Sequence, residues 1–328
     1  MLRIADTFVV ERPKTVDAAL ALLETHGDKA RLVAGGTDIL VNIKHGLHAP
    51  EVLVDLKAIE GLRTIDLSGD VFELGALVGI HTLARDPGVN AALPSLARAA
   101  GLIAGPQLRR MGTLGGNVCL DTRCVYINQT HFWREALGYC IKKDGTVCHV
   151  TKVGKKCVAA ASNDTAPVLW TLGASVRLAS PSGVRELPLD KFYVNDGEKN
   201  SVIAPDEILT HVLVPRPAPE RRMAYQKLRV RDAIDYPMLN LALAFDFDGE
   251  AVSNIDVVVS AVAARPRRIK RLPEGPLTDA LIEEAGMVAF KQVRPLTNIN
   301  GDVLWRREMV PVMLRRAFEE ALGGERAA

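Results

Sequence analysis

The sequence predicts a mixed fold, an α/β amino-terminal region followed by an α+β domain. Three observations carry that reading. Helix and strand patterns alternate over residues 1–57. A Pro-rich stretch, Pro215-Arg216-Pro217-Ala218-Pro219, has the composition of a linker. Beyond it the pattern changes to a long strand, a hairpin and closing helices. The 328 residues accord with about two domains.

Taken in order, residues 15–26 read as a helix, because Thr15 can cap it, Val16, Ala19, Leu20 and Leu23 share one face, and Gly27 stops it. Residues 31–34 form a short apolar strand that runs into Gly35-Gly36-Thr37-Asp38 and a second apolar run over 39–43. Residues 51–56, 71–74 and 77–80 read as strands. A helix over 93–102 is entered through Pro94. Residues 109–117 end in Thr113-Leu114-Gly115-Gly116-Asn117, and residues 166–172 resume a helix. Strands over 175–178 and 185–187 flank a Pro181-Ser182-Gly183 turn. After the linker, residues 239–247 alternate as a strand, Asp248-Gly249 signals a hairpin into 253–262, and a last helix spans 306–322 with Met309, Met313 and Ala317 on one face.

Composition excludes several classes. Lys+Arg 41 against Asp+Glu 39 leaves a net charge of +2, no footprint for nucleic acid. The longest apolar stretch, 257–264, is too short to span a bilayer. Residues 1–14 lack the apolar run and cleavage pattern of a secretory leader, so a soluble cytoplasmic protein is expected.

The five cysteines all lie between Cys119 and Cys157, four of them spaced Cys124-x15-Cys140-x7-Cys148-x8-Cys157. Disulfides suit this chain least: its length supports ordinary cores, and an odd count leaves one thiol unpaired. A zinc site usually shows short Cys-x2–4-Cys knuckles, which are absent here. Four thiolates on a long loop suit an iron–sulfur cluster. Spacing alone leaves metal or buried thiols open. The segment 121–160 carries Arg123, Arg134, Lys142, Lys143, Lys152, Lys155 and Lys156 against Asp121, Glu135 and Asp144, more excess positive charge than the whole chain. That excess suits either a solvated loop or a docking patch for an acidic partner. The cysteine segment is an insertion of roughly 40 residues into an otherwise complete domain.

Paired glycines at 35–36 and 115–116 allow close backbone approach and point to a pyrophosphate cradle, although neither matches a P-loop or dinucleotide fingerprint. Leu32-Val33-Ala34-Gly35-Gly36-Thr37-Asp38-Ile39, Gly105-Pro106-Gln107-Leu108-Arg109 and Thr113-Leu114-Gly115-Gly116-Asn117 together resemble the FAD-binding subunit of molybdenum hydroxylases. The resemblance covers nearly the whole chain. It implies a PCMH-type FAD-binding fold of two α/β subdomains (1–57 and 58–214, with the insertion at about 120–160) and a CO-dehydrogenase-flavoprotein-like α+β C-terminal domain (215–328).

Carried over by position, Leu32, Val33, Ala34, Gly35, Gly36, Thr37, Asp38 and Ile39 hold FAD with Thr113, Leu114, Gly115, Gly116 and Asn117. Ile103, Asp164, Leu209 and Lys227 match further FAD contacts; without the resemblance they read as two core residues, a helix cap and a surface charge. The insertion between Asn117 and Asp164 is similar to that of the β subunit of 4-hydroxybenzoyl-CoA reductase, which implies a [4Fe-4S] cluster on Cys124, Cys140, Cys148 and Cys157, with Cys119 left over. The same resemblance implies a molybdopterin-containing large subunit, a small [2Fe-2S] subunit and a dimer of heterotrimers. Ferredoxin would be the electron donor, and 4-hydroxybenzoyl-CoA would be dehydroxylated in the partner subunit. No catalytic residue is expected in this chain. Two other readings stay open: the FAD subunit of an oxidising hydroxylase that hands electrons to an external acceptor such as NAD, and a zinc-stabilised binding protein.

Overall fold

The chain is described here by a computed structural model, which covers residues 7–151 and 153–323. Residues 1–6 and 324–328 at the ends of the predicted domains, and Lys152 of the basic segment, lie outside them.

The first unit is a parallel sheet of Val9–Glu11, Val52–Asp55 and Ala30–Val33, with Val52–Asp55 in the centre. The helix Val16–His26 forms as its sequence signals it: Thr15 accepts from the Ala18 N–H at 3.1 Å, and Gly27 ends it with φ +49. Its Ala19, Leu20 and Leu23 pack on Val52 and Val54. The apolar run after the first glycine pair is the helix Ile39–Lys44.

The second unit holds an antiparallel sheet in the order Ile65–Asp66, Val71–Gly75, Ile208–Pro215, Ser175–Ser180, Gly183–Pro188. Residues 77–80, expected as a strand, do not form one. Leu77 N–H donates to Leu62 O at 2.7 Å and Val78 N–H to Gly75 O at 3.0 Å, so the run turns directly into the helix Ile80–Arg85. Leu77 and Val78 are buried in that turn, which gives the run the apolarity of a strand with only a single bridge, Gly79 to Thr113, in place of a ladder. Pro94–Gly101 and Thr165–Thr171 are helices as expected.

The third sheet, Arg221–Leu228, Leu239–Phe247, Ala251–Ser260 and Arg267–Arg268, is antiparallel. Leu239 to Phe245 are all buried because the strand is covered on both faces. Leu241, Leu243 and Phe245 face the helices Asp279–Gln292 and Val303–Ala321, while Ala242 and Ala244 join the core of the second unit. The two units thus share one apolar layer, and the cofactor cavity opens beside it. No helix among the described residues is long and apolar enough to cross a membrane.

Candidate functional site: a cofactor cavity beside a four-thiol cavity

The strand Ala30–Val33 delivers the first glycine pair to the floor of a cavity of about 600 Å³, within the usual range for a small-molecule site. Gly36 has φ +72, a left-handed conformation that favours glycine. Gly35 lies against the Met111 carbonyl and Gly112 Cα, so the backbone there leaves no room for a side chain.

The second glycine segment is not a loop. Thr113 accepts from the Gly116 N–H at 3.2 Å and starts the short helix Leu114–Val118. A Cβ on Gly115 would stand 2.7 Å from Ala76 Cβ and 2.9 Å from its carbonyl oxygen. Gly115→Val is therefore expected to destabilise the chain by about 1–3 kcal/mol through overpacking. It should also lower the FAD retained after desalting, measured by absorbance.

Asn117 Oδ1 accepts from Thr165 N–H at 3.1 Å and Thr165 Oγ1 at 2.6 Å, which joins the two ends of the domain across the base of the insertion. Next to Thr165, Asp164 accepts from Tyr225 Oη at 2.6 Å and pairs with Lys227 Nζ at 2.9 Å. Burial holds the Asp164 carboxyl above the usual carboxylate range, and Lys227 and the Tyr225 hydroxyl only partly offset it. Asp164 caps no N–H, and the Lys227 side chain is only 1% exposed, so neither is the helix cap or surface charge that local sequence suggests. Lys227 Nζ also donates to Leu102 O at 3.0 Å, just before Ile103.

Of the residues expected to hold FAD, Leu32, Ala34, Gly35, Gly36, Thr37, Asp38, Ile39, Ile103, Thr113, Gly115, Gly116, Asn117, Asp164 and Leu209 line this cavity. Val33 and Leu114 are buried behind the wall, and Lys227 reaches it only through Asp164. Residues without a sequence signal also line it: Asp121 and Arg123 from the insertion, Ser162, and Ile234, Asp235 and Tyr236 from the C-terminal unit. The Arg123 guanidinium pairs with Asp38 and lies 4.6 Å from the centre of the Tyr236 ring. One side chain thus ties the first glycine segment, the insertion and the C-terminal unit together.

The cavity suits a long polar cofactor. Gly35 and Gly115 let the two glycine segments pack directly on Met111–Gly112 and Ala76 to form its wall, and the buried Ser162 Oγ and Asn42 Oδ1 on that wall have no protein partner. FAD, when bound, supplies redox chemistry; the chain positions it and excludes water.

A second, smaller cavity of about 20 Å³ lies within the insertion and is lined by Cys124, Cys140, Cys148 and Cys157 together. All five cysteines are free thiols, and the fifth, Cys119, lines the larger cavity. Ile127, Ile141, Val150 and Val158 make the surroundings apolar. Burial pushes the Cys124 and Cys157 thiols up to about 11. At Cys148 burial also acts upward, but hydrogen bonds from Thr151, Val150 and Val158 outweigh it and the thiol is lowered. Among the described residues, no three Cys, His, Asp or Glu side chains are gathered around a single metal-ion position. The four thiols face a shared space instead.

The insertion is firmly anchored. Arg123 and Ala160 exchange backbone hydrogen bonds of 2.8 Å at its base, and Asn298 accepts from Val125 N–H at 2.9 Å while donating to Val158 O at 2.5 Å. Arg134, 1% exposed, donates to His45 O at 2.9 Å and holds the helix His131–Ala136 on the first unit.

A family profile described as "FAD binding domain in molybdopterin dehydrogenase" matches residues 6–217. The chain belongs to that family. A second profile, "CO dehydrogenase flavoprotein C-terminal domain", matches residues 223–321, so the fold is the flavoprotein fold of this family followed by its C-terminal domain. The carbon monoxide dehydrogenase medium chain of Hydrogenophaga pseudoflava is 29% identical over 322 residues, covering 97% of this chain and 98% of that one. The nicotinate dehydrogenase FAD-subunit of Eubacterium barkeri is 25% identical over 94% of each chain. A solved carbon monoxide dehydrogenase from Hydrogenophaga pseudoflava superposes with a TM-score of 0.79 at 27% identity, covering 97% of this chain and 98% of its own. These relatives are named as dehydrogenases, and none of these names is that of the reductase that the insertion resembles.

Proposed function

We propose that this chain is the electron-transfer subunit of a molybdenum enzyme, holding FAD in the larger cavity and an iron–sulfur cluster on Cys124, Cys140, Cys148 and Cys157. The convergence of four thiols on one cavity is the observation that carries the cluster. Substrate would turn over in a molybdopterin-containing large subunit, with a small [2Fe-2S] subunit between the two and assembly as a dimer of heterotrimers.

The relatives' names support an oxidising hydroxylase, in which electrons leave through this chain to an external acceptor. The four-thiol cavity supports a second reading. An added thiolate site near the surface fits electron entry from ferredoxin, as in reductive dehydroxylation of 4-hydroxybenzoyl-CoA. Within the insertion Lys143, Lys155 and Lys156 are exposed, as are Phe132 (80%) and Val153 (94%). Apolar side chains among lysines suit an acidic protein partner.

In the assembled enzyme, Lys143→Glu with Lys155→Glu is expected to slow reduction by ferredoxin about tenfold or more at low ionic strength, with the difference closing as salt screens the patch. Stopped-flow absorbance measures it. Equal rates at low salt exclude this docking surface. Product analysis with the aromatic thioester plus reduced ferredoxin, against NAD-linked oxidation of a hydroxylase substrate, decides the direction.

A further inference from the structure

Lys142 is a buried cation whose contacts reach both cavities. Its side chain is 8% exposed and lines the four-thiol cavity. Its ammonium donates to Asp121 Oδ1 at 2.7 Å, Thr122 Oγ1 at 2.5 Å and Gly197 O at 2.8 Å. Asp121 lines the flavin cavity. Gly197 packs against Cys157: its N–H donates to Cys157 O at 2.9 Å, and a Cβ there would stand 2.8 Å from Cys157 Sγ. Thr122 Oγ1 donates to the same Gly197 carbonyl, so the wall between the cavities is a single hydrogen-bonded knot centred on Lys142.

A lysine that only fastened the loop would need none of this burial, because an exposed ion pair contributes little and costs no desolvation. Placed in a mostly buried wall and only partly offset by Asp121, the charge is screened less than a surface charge and acts on whatever the thiols hold. A cluster with four thiolate ligands is anionic, and a one-electron donor makes it more negative by one charge, with no bond broken and no proton moved. A fixed cation beside it favours the reduced form.

We propose that Lys142 sets the reduction potential of the cluster on Cys124, Cys140, Cys148 and Cys157, and holds Asp121 in the flavin-cavity wall between the two redox sites. The proposal rests on the cluster reading above. The other lining group able to carry a positive charge is His149, whose ring nitrogen is engaged with Tyr139 O at 2.6 Å. Lys143 and Asp144, which pair at 3.3 Å, are exposed and screened.

The test is an EPR-monitored redox titration of the assembled enzyme, with dithionite as reductant and with iron, sulfide and FAD measured on each sample. Lys142→Gln is expected to keep iron and FAD and to shift the cluster potential to more negative values, while Lys142→Arg stays near the wild type. Asp121→Asn, which removes the opposing carboxylate, is expected to shift it the other way. An unchanged potential in iron-replete Lys142→Gln overturns the proposal. If Lys142→Gln loses its iron, an unchanged potential in Asp121→Asn does so. Absence of iron from the wild type overturns the cluster reading, and the proposal falls with it.

Discussion

Cys140→Ser is expected to strip the assembled enzyme of most of its iron and abolish the EPR signal of the reduced cluster, while FAD stays bound. Cys140 is 8% exposed, and its backbone is fixed: Lys143 N–H donates to Cys140 O at 2.9 Å and Gly145 N–H at 3.1 Å. A Cβ on Gly145 would lie 2.7 Å from Cys140 N, so the turn packs closely on the Cys140 backbone. A serine hydroxyl has a far higher pKa than a thiol and is a poor substitute for a soft thiolate. FAD should be spared because the two cavities share no lining residue. Cys119→Ser provides the contrast. Cys119 lines the flavin cavity, so its loss should leave iron content and the EPR signal unchanged. Iron lost equally in both variants would assign the ligand set wrongly.

The second large effect is expected at Asp164. The Asp164 and Lys227 side chains are 5% and 1% exposed, and Tyr225 and Asn240 complete a buried network around them. Removing one partner of such a pair strands the other charge, which costs about 3–5 kcal/mol. Asp164→Asn should therefore lower the thermal unfolding midpoint markedly and reduce FAD retention, since Asp164 also lines the cavity. Asp164→Asn with Lys227→Met removes both charges and should recover much of the stability but not FAD binding. Equal loss in the single and double variants would show that packing, not the stranded ammonium, sets the cost.

What the sequence discloses follows the range of the interactions involved. Thr15 and Gly27 bound their helix by local hydrogen bonding, so its ends are legible from the residues themselves. The run at 77–80 is misleading because burial in a turn and burial in a strand select the same apolar side chains. Thr113 is a helix cap concealed by the glycines that follow it, which read as loop. The clustering of the cysteines does foretell a shared cavity, because 15, 7 and 8 intervening residues leave the chain room to fold back on itself. Arg123, Tyr236 and Lys142 are different. Their importance lies in partners on other segments (Asp38 for Arg123, Gly197 for Lys142), and no local pattern announces those. Asp164 and Lys227 were legible only through family resemblance, for the same reason.

The central claim is that one chain carries a flavin cavity and a four-thiol redox site side by side. Its most direct test is metal, sulfide and flavin analysis of the anaerobically purified enzyme, combined with the visible spectrum. About four iron and four sulfide per chain are expected in this subunit, as a [4Fe–4S] site requires, with FAD released on denaturation. Zinc in place of iron, with no flavin bands, would contradict it.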